Sequence, residues 1–343
     1  MNDIYPTFYK KFKCIANLCP DSCCKDWDID VDCETEKYYS CVGGKLGDKI
    51  RKLTVTDEYG ERVFISNNGK CPFWNQNMLC DIYIGLGEEH LSATCKNFPR
   101  MSVDYTDFCE HILSFACPEA ARLMLEEDNA YADFGGENEL FACENSDDYM
   151  SFLLKSRERT AKMLLDRSQP FAYRLADCLE FNAQIQIILN GGEPAPLDFD
   201  DTEPCGCGFI FDMHLNFEIM SSEWKDKVAL AAKNGGELKI SKEFDDDFEK
   251  FVLYYIYRYY LEAVNSGDVL YSIKRIICAY IVTSKIEAAL KAAALPCDRL
   301  RILQRYSKEV EHSYENTERM NAEFSKDKRF SAQNLILMLE AMV

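Results

Sequence analysis

Residues 12–30, FKCIANLCPDSCCKDWDID, place four cysteines within eleven positions, and two of them are adjacent. These are Cys14, Cys19, Cys23 and Cys24. Thiolates bind zinc and iron–sulfur clusters, act as nucleophiles and form disulfides. This density of sulfur therefore predicts an inorganic centre, a redox site or a disulfide framework, and the redox compartment of the protein decides among them.

We expect neither an export signal nor a membrane span. Its first residues, MNDIYPTFYKKFKCIANL, lack the long apolar core of a signal peptide. The most apolar later region, YSIKRIICAYIVTSKIEAALKAAAL, is interrupted by Lys274, Arg275 and Lys285, so no membrane span is predicted. We therefore expect a cytoplasmic protein, in which clustered cysteines more often bind metal or catalyse than form disulfides. Eleven of the seventeen cysteines lie in the first 117 residues, and the odd total also disfavours a complete disulfide framework.

Four later cysteines extend the opening cluster. They lie in CPFW (Cys71), MLCDIY (Cys80), TCKNFPR (Cys95) and SFACPEAAR (Cys117). Cys19, Cys71 and Cys117 each precede a proline, which fixes the next φ and suits a rigid loop that presents a thiolate. A Cys-Pro step also ends a common ferredoxin ligand run. A helix is predicted to follow Cys117, and its positive N-terminal end would favour the thiolate.

Together these residues form the cysteine set: Cys14, Cys19, Cys23, Cys24, Cys71, Cys80, Cys95 and Cys117. Four thiolates satisfy either tetrahedral zinc or a 4Fe–4S cluster. Zinc usually uses paired C-x₂₋₄-C knuckles, and that spacing occurs only in the opening segment, at Cys19 and Cys23 among others, whereas the later cysteines come singly from separate loops, which favours iron. Eight thiols are twice what one site needs, so either half are structural or two sites exist. Adjacent side chains diverge in a helix or strand, so Cys23 and Cys24 both bind only if the local turn is irregular.

The remaining cysteines and the histidines are expected to pack rather than to bind a ligand. Free cysteine often serves as a small buried hydrophobe, the expectation for Cys33, Cys41, Cys109, Cys143, Cys178, Cys278 and Cys297. Cys205 and Cys207 are expected in a flexible loop. The four histidines, His90, His111, His214 and His312, are scattered singly and are expected to be surface or packed residues.

Three separated segments carry a resemblance to a known family: FKCIANLCPDSCCKDWDIDVD, GKCPFWNQNMLCDIYIGLGEEHLSATCKNFPR and SFACPEAARLML. They resemble the FliB-type flagellin lysine-N-methylase family with its cysteine-rich zinc- or iron-chelating domain. The resemblance is strong over residues 12–125 and looser through the later part, where FVLYYIYRYYLEAV looks like the family's aromatic helix. It implies S-adenosylmethionine-dependent methylation of protein lysine amines. It also implies an iron–sulfur cluster, with zinc as the alternative, and a substrate with surface lysines such as flagellin.

Methyl transfer to lysine needs a neutral amine, whereas a free lysine is almost wholly protonated at pH 7. Tyr, Asp and Glu around an aromatic channel would remove the proton and attract the methylated ammonium. YYIYRYY (254–260) concentrates five tyrosines, and Tyr254, Tyr255 and Arg258 share one helical face, which makes them the catalytic candidates. The alternative is a core helix whose hydroxyls reach the rim.

The sequence assigns no residues to S-adenosylmethionine. No G-x-G-x-x-G follows a predicted strand, and the Cys-x₃-Cys-x₂-Cys spacing of radical enzymes is broken at Asp26. Two other function classes stay open: a metal-stabilised binding protein without methyltransferase activity, and an electron-transfer or redox-sensing protein.

The charge balance limits the classes of molecule that the protein is expected to bind. Asp plus Glu outnumber Lys plus Arg by 58 to 39, a formal charge of −19. Such a surface repels nucleic acid and anionic membranes, so neither is expected as a partner. It suits a basic, lysine-bearing protein instead.

The predicted secondary structure that positions these residues changes near residue 125. Before it we expect a half-buried strand at 27–31, a hairpin around Asp57–Gly60, a short helix at 81–91 and a strand at 108–115. After it the spacing is helical, with helices predicted at 146–167, 171–189, 209–233, 243–265, 268–293, 297–323 and 331–343, and a loop at 189–208. The sequence thus predicts an α+β protein: a small cysteine-rich domain (1–125) with short strands and a larger all-α domain (126–343).

Overall fold

The structure, a computed structural model, describes residues 2–66, 68–128, 130–131, 149–200, 202, 204–234 and 240–343. Cys143, which the sequence predicts to pack, and the first residues of the helix predicted from 146 lie outside these ranges. The described chain falls into two compact units. Unit 1 comprises Met1–Asp3 and Tyr9–Leu123, and unit 2 comprises Ile4–Phe8 and Met124–Val343.

Unit 1 contains short strands and short helices. In chain order they are β1 (Asn2–Ile4), α1 (Cys33–Cys41), α2 (Gly44–Leu53), β2 (Thr54–Thr56), β3 (Arg62–Phe64), α3 (Asp81–Leu86), α4 (Ala93–Asn97), β4 (Arg100–Asp104), β5 (Phe108–Leu113) and α5 (Pro118–Glu126). One sheet has the order β1-β5-β4, and β2 pairs with β3 in a second. The predicted α+β class is confirmed, whereas separate folding of domains 1–125 and 126–343 stays a prediction.

The predicted hairpin around Asp57–Gly60 is confirmed, because β2 and β3 pair antiparallel with Thr54 opposite Phe64. Asp57 accepts hydrogen bonds through Oδ1 from the backbone N–H groups of Tyr59 and Glu61, at 2.9 and 2.8 Å. Gly60 has φ +87°, a conformation that L side chains rarely adopt. Local side-chain hydrogen bonds and one glycine therefore fix this turn.

The prediction of a strand at 27–31 is wrong, but the predicted burial of its apolar side chains is confirmed. Ile29 and Val31 are buried in the core of unit 1, with Tyr39 and Phe64. The backbone, however, makes only an isolated bridge, between Asp30 and Val63. The segment is cut short because a left-handed residue (Asp26, φ +72°) precedes it and helix α1 follows it directly.

Unit 2 is helical over its described residues. Its helices are α6 (Tyr149–Leu165), α7 (Phe171–Leu189), α8 (Gly208–Leu215), α9 (Ser222–Asn234), α10 (Lys242–Tyr259), α11 (Ala263–Ser266), α12 (Leu270–Ala292), α13 (Arg299–Tyr306), α14 (Tyr314–Lys326) and α15 (Ala332–Glu340). Helix α12 is buried on all sides and packs against α7, α9, α10 and α13. It is therefore the central helix of this unit, which explains why its region is the most apolar of the sequence. None of the helices in the described ranges is long and apolar enough to cross a membrane.

Three predicted helices are interrupted: those at 209–233, 243–265 (divided into α10 and α11) and 297–323. Tertiary contacts explain the first break. The helix expected at 209–233 is divided into α8 and α9. Between them the backbone N–H of Glu218 donates to Asn316 Oδ1 at 2.9 Å, and that of Met220 donates to Glu309 Oε2 at 2.8 Å. Side chains from distant residues thus take the donors that a continuous helix would need.

The helix expected at 297–323 is interrupted by a π-helical segment, Ser307–Glu311, between α13 and α14. All five residues of this segment are buried, including Lys308, Glu309 and Glu311. Single π-helical turns often occur at functional sites, because they redirect side chains out of the α-helical register.

Candidate functional site

The opening cysteines lie on an irregular loop rather than in a helix or strand. Ala16 and Asp26 have left-handed φ values of +49° and +72°, unusual for residues with a Cβ. The carbonyl oxygen of Cys23 accepts a hydrogen bond from Trp27 Nε1 at 2.8 Å, which ties the turn to the adjacent indole. This is the irregular turn on which binding by both Cys23 and Cys24 depends.

Three later members of the cysteine set approach this loop from separate elements. The backbone N–H of Cys71 donates to the carbonyl of Cys24 at 2.8 Å, so the two segments run side by side. Cys80 immediately precedes α3, and Cys95 lies in α4, where its N–H donates to Ser92 Oγ at 3.4 Å. All three pack against the hydrophobic core of unit 1. The core therefore positions their thiols.

The thiols interact with one another. The thiol of Cys24 interacts electrostatically with the thiols of Cys23, Cys71 and Cys80. Cys23 also lies within electrostatic range of a wider group of sulfurs, those of Cys19, Cys80, Cys95 and Cys117. Cys14, which is exposed, interacts with Cys19. The fold of unit 1 thus gathers the eight cysteines into one neighbourhood, with Cys23 near its centre.

Burial opposes ionisation of these thiols. It raises the pKa of Cys95 to about 12, and it does the same for Cys117, even though backbone N–H groups of Ala120 and Glu119 at the start of α5 favour the Cys117 thiolate. The charge of Cys23 adds to both shifts. A bound cation would reverse this repulsion and hold the thiolates deprotonated, so the donor set fits a metal centre.

The spacing of the sulfurs bears on the kind of metal centre. A zinc ion about 2.3 Å from each of four sulfurs holds them roughly 3.8 Å apart. Among the residues that the structure describes, no three of the eight sulfurs lie within 4.8 Å of one another. A cluster of several irons spaces its terminal thiolates more widely, because metal–metal separations add to the metal–sulfur bonds. The described thiols are thus more widely spaced than a closed tetrahedral zinc site requires, and this spacing leaves room for a cluster.

In unit 2, tyrosines of α10 surround one buried carboxylate, that of Glu311. Tyr254 donates a hydrogen bond to Glu311 Oε1, and Tyr259 donates to the same atom at 2.6 Å. Ser307 Oγ donates to the other oxygen at 2.6 Å. The π-helical turn directs this carboxylate inward, onto the tyrosine-rich face of α10.

The structure separates the catalytic candidates that the sequence grouped. Tyr254 and Tyr255 are 0% and 2% exposed, so both belong to the core. Arg258 is partly buried and stacks on the ring of Tyr259 at 4.9 Å. Tyr259, from the same tyrosine-rich stretch, lines a cavity.

That cavity, the acidic pocket, measures about 580 Å³ and is lined in part by Tyr259, Glu262, Asp268, Arg275 and Glu318. Arg275 Nη1 lies 3.4 Å from Glu262 Oε2. Burial raises the pKa of Glu262, and the positive charge of Arg275 opposes this shift. Burial, together with the negative charge of Glu311, raises the pKa of Tyr259 well above its usual value. The pocket therefore offers three carboxylates, one guanidinium and a neutral phenol, a lining that attracts a cation.

Sequence reasoning missed Glu311 and Glu262 as candidates. Both are single acidic residues in helical segments, and such residues are usually on a solvated face. The signal that distinguishes Glu311 is the set of tyrosine hydroxyls that point at it from more than fifty positions away in the chain. No pattern in the sequence reports that proximity.

Comparisons with known proteins match part of the chain. A family model described as the FliB lysine N-methylase C-terminal domain matches residues 215–338. The flagellar biosynthetic protein FliU of Salmonella muenchen is 34% identical over 133 residues, which cover 37% of this chain and 79% of that protein. The lysine-N-methylases of Salmonella typhimurium (strain LT2) and Salmonella choleraesuis (strain SC-B67) are also 34% identical over 133 residues. The match covers 37% of this chain and 33% of each of them, so the chain spans about a third of their length. No solved structure matches the chain.

Proposed function

Because the chain belongs to the FliB-type lysine-N-methylase family, we propose that it is a protein lysine N-methyltransferase that uses S-adenosylmethionine and carries a cysteine-ligated iron–sulfur cluster. The observation that carries the proposal is the acidic pocket, whose lining residues all fall inside the segment that matches the FliB C-terminal domain. The relatives named lysine-N-methylase support lysine methylation as the reaction. The charges of the pocket support lysine as the side chain that enters it.

The acidic pocket suits the side chain of lysine. Glu262, Asp268 and Glu318 outnumber its single arginine, Arg275, and so attract an ammonium group. The ring of Tyr259 adds an aromatic face of the kind that binds ammonium and methylammonium groups. The hydroxyl of Tyr259 donates a hydrogen bond to Glu311, which fixes the orientation of the ring. The ring can therefore position the entering amine.

Methylation requires that the amine lose its proton. Glu262 is the residue that we assign to this role, because its raised pKa lets the carboxylate bind a proton more readily than a carboxylate of ordinary pKa. Its side chain is 51% exposed, so the proton can pass on to solvent. S-adenosylmethionine, when bound, supplies an electrophilic methyl group, which the neutral amine takes with formation of an N–C bond and release of S-adenosylhomocysteine. Tyr254, Tyr255 and Arg258 support the wall of the pocket and do not themselves react.

The cysteine set would hold the cluster, most simply a 4Fe–4S cluster with four of the eight thiolates as ligands. The members that we favour are Cys23, Cys24, Cys71 and Cys80, since the thiol of Cys24 interacts electrostatically with the other three and that of Cys80 interacts with Cys23. When bound, the cluster crosslinks loops that are distant in sequence and supplies a centre with redox chemistry.

The substrate that we propose is flagellin or a similar protein with surface lysines. A relative is named as a flagellar biosynthetic protein, and the chain's charge of −19 favours a basic patch on its partner. The compartment that we propose for the reaction is the cytoplasm.

The test is methylation of purified flagellin by anaerobically purified protein with S-adenosylmethionine, read by mass spectrometry of flagellin peptides. Glu262→Gln should lower kcat about 100-fold, the usual contribution of an acid–base group. Glu180→Gln, on the exposed face of α7, makes the same chemical change outside the pocket and should leave kcat unchanged. If the cluster-loaded wild-type protein transfers no methyl group to lysine, the chain is a binding or redox protein instead.

A further inference from the structure

A second group of metal-binding side chains lies on the three-stranded sheet of unit 1, apart from the cysteine set. One ligand atom each from Asp3, Cys109 and His111 lies within 4.8 Å of the other two. In the described part of the chain, this is the one group of three or more His, Cys, Asp and Glu that is so closely spaced. Sequence reasoning assigned Cys109 to packing and His111 to the scattered histidines.

Strand register explains the grouping. Cys109 and His111 occupy alternate positions of β5, so both side chains project from the same face of the sheet. Their partners on β4 are Asp104, opposite Cys109, and Ser102, opposite His111. Strand β1 lies on the other side of β5 and contributes Asp3. Three strands thus bring a thiol, an imidazole and carboxylates to one place.

The hydrogen bonds of His111 orient the ring for metal binding. Its Nδ1 lies 2.8 Å from Ser102 Oγ, and its Nε2 lies 3.1 Å from Asp3 Oδ1. When Nδ1–H donates to Ser102, the Nε2 lone pair points toward Asp3 and Cys109. Metal-binding histidines almost always have such an outer partner, which fixes the tautomer. Asp104 lies opposite Cys109 on β4 and adds negative charge near its thiol.

We infer that this face of the sheet binds a divalent transition-metal ion of the zinc class through Asp3, Cys109 and His111, with water at the fourth position. One sulfur, one nitrogen and a carboxylate oxygen suit zinc, whereas magnesium and calcium prefer oxygen alone. Cys109 is only 4% exposed and Asp3 is 55% exposed, so the ion would reach a buried thiol from the solvent side. Binding releases the thiol proton of Cys109 to solvent, because the thiolate is the ligand.

The test uses the intact protein with its cysteine centre in place. Equilibrium dialysis against Zn²⁺ measures affinity, and zinc X-ray absorption counts the sulfur ligands. Wild type should bind one zinc with one sulfur at about 2.3 Å. His111→Ala and Cys109→Ser should each weaken binding about 100-fold or more. The matched controls His90→Ala and Cys41→Ser change a partly exposed imidazole and an exposed thiol elsewhere and should bind as wild type does.

Ser102→Ala keeps all proposed ligands and removes only the partner of Nδ1, so it tests the site even if a ligand variant fails to fold. It should weaken zinc binding about tenfold or more. Three results would overturn the inference: zinc bound by four sulfurs, affinity in His111→Ala equal to that of wild type, or binding at millimolar concentration only. Covalent labelling of Ser102 by a fluorophosphonate would also overturn it. Ser102 would then be a nucleophile, with His111 as its base and Asp3 as the partner of His111. None of these results bears on methylation.

Discussion

Individual buried side chains in unit 2 have their protonation fixed by their surroundings, and His214 is the clearest example. Its ring is 1% exposed. Nδ1–H donates to the carbonyl of Ile210 at 2.7 Å, and Nε2 accepts from the hydroxyl of Tyr306 at 3.2 Å. Burial lowers the pKa of His214 to about 4, so the folded protein holds this histidine neutral.

This predicts a pH dependence of stability. Unfolding exposes His214 and restores a pKa near 6.5, so the unfolded chain binds the extra proton between about pH 6.5 and pH 4. Stability contributed by this residue is therefore present above pH 6.5 and lost as the pH falls through that window. Between pH 7 and pH 5 the loss should be about 2 kcal/mol. Urea unfolding followed by far-ultraviolet circular dichroism measures it.

The variant His214→Gln should lack this part of the pH dependence, while His90→Gln, which changes a partly exposed imidazole, should retain it. An equal loss of stability in wild type and His214→Gln between the two pH values would show that the ring is protonated in the folded state.

At the scale of elements, single side chains connect helices to one another as well as cap them. Asp32 caps α1, accepting through Oδ1 from the backbone N–H of Thr35 at 2.9 Å. Its Oδ2 accepts from the backbone N–H of Ala93 at 2.8 Å, at the first residue of α4. These hydrogen bonds lower the pKa of Asp32 to about 2. One carboxylate thus links α1 to the helix that carries Cys95.

We predict that Asp32→Ala lowers the free energy of unfolding by about 1–2 kcal/mol, the usual cost of losing a helix cap. Hydrogen exchange should increase first in α1 and α4, because both lose a partner. Asp32→Asn keeps an oxygen that can accept the capping hydrogen bond and should cost less. Unchanged exchange in α4 of the alanine variant would mean that the contact with Ala93 does not stabilise it.

At the scale of the whole molecule, the two units differ in what stabilises them. Unit 2 buries a central helix, α12, among other helices and has an extensive apolar core. Unit 1 has short helices and strands, a small cluster of buried residues and cysteines from separate loops packed against it. A centre bound by those cysteines would supply crosslinks that its short elements lack.

If so, loss of the centre should loosen unit 1 far more than unit 2. Cys24→Ala should lose the visible chromophore, iron and sulfide, and hydrogen exchange should rise across residues 9–123 with little change in 149–343. Cys178→Ala is the matched control, because Cys178 is buried in α7, outside the cysteine set, and its thiol donates to the carbonyl of Thr160. Uniform exchange changes in both regions, or a colourless wild-type protein, would contradict this picture.

The amino-acid sequence by itself determined the helices of the later part, the hairpin, the helix start at Pro118 and the identity of the cysteine-rich family. These features depend on periodic burial, turn residues and residue order, which are properties of neighbouring positions. Burial was also correct for Cys109, Cys178 and Cys278, whereas Cys33 and Cys41, expected to be buried, are exposed at the two ends of α1.

Only the tertiary structure decided which distant residues meet. It gathered the sulfurs around Cys23, divided the helix at 216–221, turned Glu311 toward the tyrosines of α10 and placed Asp3 beside His111. These proximities join positions that are separated by about fifty to more than a hundred residues. Local preference fixes the backbone of each segment, but the packing of one segment on another depends on the whole chain.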